Sequence, residues 1–205
     1  MSVHGPTTLL FDLGGVFNES HTLDTVKGMT GTTVPDDVLT ARWLSSPALR
    51  AFELGQSSPR DFAMAFLAEW QITVTPDAFL AAFTASVGQP YPGAEALIMG
   101  LRNEHKVCCL SNCNALHWPR ISPFLACFDA AFSSHLLGEI KPDEAAYLKV
   151  MTLLDVSADS LWFFDDSRPN VEAAERLGIR SFVVDGPRGV RRVLEAEGLI
   201  GDRHA

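Results

Sequence analysis

The chain of 205 residues predicts an α/β fold: a mostly parallel sheet with helices on both faces and a helical block inserted after the first strand. Three observations point there. Short runs that are apolar throughout recur along the chain, as in strands buried on both faces. Helical segments separate these runs in the second half, and such alternation implies parallel strands joined by crossovers. Between the first run and the others lies a long stretch with helical spacing alone.

Residues 7–13 are the first apolar run, broken by Gly14 and Gly15, and read as a strand entering a loop. Residues 18–88 carry helix-start signals and no expected strand. Pro35-Asp36-Asp37 opens one helix, Ser58-Pro59-Arg60-Asp61 another and Thr75-Pro76-Asp77 a third. After Tyr91-Pro92-Gly93, residues 95–102 read as a helix and residues 106–110 (KVCCL) as a strand ending in Ser111-Asn112. A weaker strand is expected near 130–133 and a helix at 143–154. Residues 161–164 (LWFF) form a buried strand ending in Asp165-Asp166. A helix at 169–177 stops at Gly178, and 181–184 is the last strand. The expected organisation is a Rossmann-like core, 1–17 plus 89–205, and a small helical cap, 18–88. Residues 201–205 read as a polar, frayed tail.

Hydrophobic residues make up 47 % and charged residues 20 %, enough apolar content for a packed core. Sixteen Lys plus Arg against 25 Asp plus Glu give a formal charge of −9, which offers no electrostatic footprint for nucleic acid. The four cysteines, Cys108, Cys109, Cys113 and Cys127, lack paired metal-ligand spacing and read as reduced core thiols. The first apolar stretch is too short, and lacks the preceding basic residues, for a signal peptide, and no segment is long enough to span a membrane. A cytoplasmic protein is expected, monomer or homodimer, with neither nucleic acid nor membrane as partner.

Ligands of open α/β sheets bind beyond the carboxyl ends of the strands. Three strands here end in polar groups: Asp12, Ser111-Asn112 and Asp165-Asp166, with Lys141 opening a helix between the second and third. Each alone reads as turn or cap chemistry. Together they make a different set. Crowded carboxylates repel unless a cation lies among them, and hard oxygen ligands suit Mg²⁺. A phosphoryl group needs its oxygens neutralised by a cation, a lysine and neutral donors, and a carboxylate can attack phosphorus to form an aspartyl phosphate.

The same residues carry a resemblance. Leu10-Phe11-Asp12-Leu13-Gly14-Gly15-Val16, Leu110-Ser111-Asn112, Lys141-Pro142 and Phe163-Phe164-Asp165-Asp166-Ser167-Arg168-Pro169-Asn170 resemble the four motifs of the haloacid dehalogenase superfamily, in its phosphatase branch with a helical cap. The Asp-Leu-Gly start and the Ser-Asn-Cys-Asn stretch are similar to bacterial α-D-glucose-1-phosphate phosphatases. The resemblance implies Asp12 as nucleophile and metal ligand, Gly14 lending a backbone carbonyl to Mg²⁺, and Asp166 as a direct ligand. It implies Asp165 and Asn170 as a supporting shell, Ser111 and Asn112 as phosphoryl holders, and Lys141 as the fixed positive charge. The substrate expected is a small phosphorylated metabolite.

One departure stands out. Most phosphatases that this chain resembles carry a second aspartate two residues after the nucleophile, as the general acid. Here that residue is Gly14. General acid–base catalysis is worth about 10²–10⁴-fold in rate. A substrate with a good leaving group, such as a sugar 1-phosphate, would suffer least from its loss. Glu19, His21 or His117 could substitute. A non-catalytic phosphate-ligand-binding protein is the alternative of another class, and a haloacid dehalogenase or a phosphosugar mutase are lesser ones. In the inserted block, Trp43 and Trp70 read as core, Arg50 as a candidate to face the crevice, and Arg60 carries no assignment.

Overall fold

The computed structural model describes residues 8–31 and 33–201. Thr7 and four of the tail residues assigned above lie outside them. Five parallel strands form the main sheet: β1 (Thr8–Phe11), β4 (Lys106–Ser111), β5 (Ala130–Ser133), β6 (Leu161–Asp165) and β7 (Arg180–Val183). Their spatial order is β5-β4-β1-β6-β7. The chain therefore builds outward from β1 to one edge, then returns to the other side of β1. Phe11 stands in register with Cys109 on β4 and with Phe164 on β6, so β1 and β6 end within one residue of each other and β4 runs two residues further.

The central strands are apolar at every position between their ends because each faces two cores. Leu9 and Phe11 of β1, Val107 and Cys109 of β4 and Trp162 and Phe164 of β6 point into one. Leu10, Cys108, Leu110, Leu161 and Phe163 point into the other. The first core is covered by α6 (Ala94–Leu101), α7 (Trp118–Leu125) and α11 (Gly186–Ala196). The second is covered by α9 (Glu144–Leu154) and α10 (Arg168–Arg176), with the short α8 (Ser134–Leu137) beside them. A helix with two prolines, α7, and a helix opening Gly-Pro-Arg-Gly, α11, are absent from the sequence reading. Their turn-forming residues mask the helical period.

The inserted block contains α1 (Thr22–Thr30), α2 (Asp36–Leu44), α3 (Pro47–Glu53), α4 (Pro59–Trp70) and α5 (Pro76–Ala85). Two of the three start signals are met by side-chain caps. Ser58 accepts from the Asp61 amide and Thr75 from the Ala78 amide, each with proline in the first turn. The block has its own core of Phe52, Phe62, Phe66, Phe79 and Phe83, with the Phe52 and Phe62 rings stacked at 4.3 Å. Trp70 is buried there and Trp43 packs against it at 6.4 Å, as their spacing predicts.

The expectation of no strand in this block is corrected at its borders. β2 (Asn18–Ser20) and β3 (Val87–Pro90) pair antiparallel where the chain leaves and re-enters the core. Neither alternates apolar with polar residues, so no period-2 signal exists to read. The pairing depends on Gly88, whose Cα lies so near the Glu19 carbonyl that any Cβ would collide with it.

Candidate active site

The neighbouring carboxyl ends of β4, β1 and β6 bring the predicted residues together. Asp12 follows β1 directly, and its amide donates to the Phe164 carbonyl at 2.8 Å, extending the ladder by one residue. Asp165 ends β6 and Asp166 follows it. Carboxylate oxygens of Asp12, Asp165 and Asp166 all lie within 4.8 Å of one another, near enough to hold one metal ion.

Lys141 comes from the loop before α9 and is 2 % exposed. Its ammonium bridges Asp12 Oδ1 at 2.9 Å and Asp165 Oδ2 at 2.6 Å. Burial alone would push the ammonium down, but the charges of Asp12 and Asp165 outweigh it and hold the lysine above its ordinary value. Burial also pushes Asp12 up to about 7, partly offset by Lys141 and reinforced by Asp165 and Asp166. Asp166 rises to about 6, through desolvation and then Asp165. One ammonium does not balance three crowded carboxylates, and a divalent cation fits the deficit.

The surrounding groups fix this arrangement. Asp165 is fully buried and accepts from the Asn170 side chain at 3.0 Å and from the Ser167 amide at 2.8 Å, besides Lys141. It is thereby saturated, and Asn170 acts through it. Gly15 has φ +71°, and a Cβ there would collide with the Asp166 carboxylate, so the second glycine of the pair makes room for that acid. Asn112 lines the open space and also holds the Lys141 backbone. Its side-chain amide donates to the Lys141 carbonyl at 2.8 Å and its oxygen accepts the Lys141 amide at 3.0 Å. That double clamp aims the lysine. Ser111 ends β4 and lines the open space beside Asp12.

That space is a cleft of about 240 Å³ between the strand ends and the inserted helices, lined by Gly14, Ser111 and Asn112 from below and by Trp43, Glu53 and Phe83 from above. Of the three residues considered as substitutes for a second aspartate, His117 is spent. Its Nε2 lies 2.6 Å from the Phe83 carbonyl and Nδ1 lies 3.3 Å from the Asn114 amide nitrogen, and burial lowers its pKa. This suits a neutral ring that staples the helical block to the core. Glu19 and His21 pair with each other at 3.2 Å near the surface. Arg50 does not enter the cleft but forms an ion pair with Asp143 at the start of α9. Arg60 stands 4.0 Å from Asp77 at the surface.

Sequence reasoning missed Glu53. It ends α3, is half-buried, and burial pushes its carboxyl up to about 7, reinforced by Asp12 and opposed by Lys141 and Arg50. The only local sign is the Glu53-Leu54-Gly55 string, in which a glycine follows a helix end.

The haloacid dehalogenase-like hydrolase family model matches residues 7–178. The chain belongs to this family. A curated relative from Mycobacterium tuberculosis (strain CDC 1551 / Oshkosh), named Phosphatase MT3486, is 37 % identical over 125 residues, covering 56 % of this chain and 57 % of that protein. The chain thus matches little more than half the length of that relative. A haloacid dehalogenase family enzyme of Bacteroides thetaiotaomicron, solved in complex with magnesium and inorganic phosphate, superposes with a TM-score of 0.72 at 21 % identity, over 88 % of this chain and 95 % of that one. An L-2-haloacid dehalogenase superposes at 0.62 and 20 % identity, over 88 % and 85 %. Haloacid dehalogenase-like hydrolases of both kinds share this fold, so the choice between attack at phosphorus and at carbon rests on the site. All four cysteines of the present chain are free and buried. Among the described residues no helix is long and apolar enough to cross a membrane.

Proposed function

We propose that this chain is a Mg²⁺-dependent phosphomonoester hydrolase that acts through an aspartyl phosphate on Asp12. The observation that carries this reading is the buried Lys141 ammonium between Asp12 and Asp165 at the strand ends. Residues 18–88 are proposed as its cap, and the free thiols suit a cytoplasmic setting.

Asp12, the Gly14 carbonyl and Asp166 would hold the Mg²⁺, with Asp165 and Asn170 behind them. When bound, the ion would neutralise phosphoryl oxygens and keep the acidic cluster ionised. The protein's own groups do the rest. Lys141 favours the charged form of Asp12 and adds positive charge beside the phosphoryl group. Ser111 offers a hydroxyl and Asn112 keeps the lysine aimed. Asp12 attacks phosphorus, and water later cleaves the acyl phosphate. A dehalogenase needs no metal. Three carboxylates around one lysine would be an unexplained cost for it, which favours phosphorus over carbon. A mutase keeps the second aspartate that Gly14 replaces.

A sugar 1-phosphate is the substrate class proposed on Gly14, since an anomeric oxygen leaves without much help. The test is phosphate release from a panel of sugar, nucleotide and small-acid phosphates, with Mg²⁺ and with chelator. Release that needs Mg²⁺ and disappears in Asp12→Asn is expected. Silence from every ester, with the metal shown to bind, would put the non-catalytic binding protein first.

A further inference from the structure

Gly14 leaves the first motif without an acid, and the space beside it is open: a Cβ built there meets no atom within 4 Å. The cleft that Gly14 lines is closed from the opposite side by the end of α3, where Glu53 stands. Its carboxyl forms neither hydrogen bond nor ion pair with the described residues. A half-buried carboxyl with no hydrogen-bond partner, across a cleft from Gly14 and within electrostatic reach of Asp12, is free to work there.

Two contacts hold α3 in that place. Arg50, one turn before Glu53, forms the ion pair with Asp143. Gly55, two residues after it, has φ +72° and lies so near α8 that a Cβ would stand 2.5 Å from the His135 carbonyl oxygen. The groups around the Glu53 carboxyl are Asp12, Lys141 and Arg50, with Cys113 near it and Glu19 and His117 on the same cleft wall. Burial and Asp12 push it up to about 7, so both protonation states are accessible near neutral pH.

We infer that Glu53, supplied by the inserted helices, is the acid–base residue that the Gly14 position lacks. The inference rests on the proposed phosphatase reading, and a proton from Glu53 extends the substrates of that reading beyond esters with good leaving groups such as sugar 1-phosphates. Asp12 attacks phosphorus, the bond from phosphorus to the ester oxygen breaks, and that oxygen takes the proton of the Glu53 carboxyl to leave as an alcohol. The Glu53 carboxylate then takes a proton from water as its oxygen attacks phosphorus. The bond from phosphorus to Asp12 breaks, phosphate departs, and both side chains return to their starting states.

The experiment is rapid-quench kinetics of the native protein and Glu53→Gln on an aryl phosphate and an alkyl phosphate, with Asp12→Asn as control. An aryl leaving group needs no proton. Glu53→Gln should therefore release one equivalent of phenol at nearly the native rate and then stall, with intact-mass spectra showing phosphate retained on the protein. On the alkyl ester its first turnover should fall about 10²–10³-fold. Thermal melting checks that the variant is folded, and Glu53→Asp, with a shortened acid, should keep part of the alkyl activity. Equal losses on both esters without retained phosphate, or no loss on either, would overturn the inference and leave the phosphatase standing. No release by the native protein from either ester would instead sink the phosphatase reading and this inference with it.

Discussion

Among the described residues, Lys141 is the one lysine or arginine that is buried, and it touches both Asp12 and Asp165. Replacing it with Met leaves two buried carboxylates without their counter-charge. Breaking such a pair costs about 3–5 kcal/mol. Denaturant titration of Lys141→Met in chelator should show a loss near the lower figure, because Asp12 can take up a proton. Asp12→Asn removes the nucleophile but leaves the fold. Its phosphate release should fall by about four orders of magnitude or more, as for other single nucleophile deletions. Gly14 offers the reverse experiment. Its open surroundings and ordinary φ admit a side chain. Gly14→Asp in the Glu53→Gln background should recover alkyl-phosphate turnover about tenfold or more, if the two positions are alternative sources of one proton.

At the scale of elements, the site joins two sets made in different ways. The lower set sits on strand ends that sheet register brings side by side. In the upper set, Glu53 sits on α3, whose position depends on a glycine. Gly55→Ala puts a methyl group against the His135 carbonyl at an unfavourable φ, a strain of about 1–2 kcal/mol. The helix end should shift and carry Glu53 with it. Turnover of alkyl phosphates should fall while the aryl first turnover holds, a split measured by the same quench kinetics. The aromatic core of the inserted block makes a separate prediction. Phe62 is 1 % exposed and stacks on Phe52. Phe62→Ala should destabilise the protein by about 3–5 kcal/mol, seen as a lowered denaturant midpoint.

For the molecule as a whole, the acidic cluster couples stability to pH and to metal. Asp12 and Glu53 are raised to about 7 and Asp166 to about 6, all above their ordinary values. The folded state therefore holds protons that the unfolded chain would release. The resulting stabilisation is complete below pH ~4 and is lost as pH rises through 6 to 7. In chelator the melting temperature should fall across that window. Mg²⁺ competes with those protons, so the rise in melting temperature that it causes should grow with pH over the same range. A metal-free melting temperature that climbs between pH 5 and 8 would contradict this. A calorimetric pH series with and without Mg²⁺ measures both.

Much of this was legible in the chain. Apolar runs on β1, β4 and β6 announced strands buried on both faces, and the Ser-Pro and Thr-Pro pairs announced α4 and α5. Asp12, Ser111, Lys141, Asp165 and Asp166 were legible because each stands at or within three residues of the end of an element, where position along the chain already implies position in space. The ribbon of β2 and β3 was not, since its pairing comes from two distant segments that meet at Gly88. The Asn112 clamp was not, because a side-chain amide can serve a ligand or a backbone with the same sequence. Glu53 was not, because its role depends on which face of α3 meets the core. By itself the sequence determined the sheet, the acidic cluster and its lysine, through local periodicity and strand ends. Only the tertiary structure decided which residue of the inserted helices looks into the cleft, because that depends on how two separately formed cores dock.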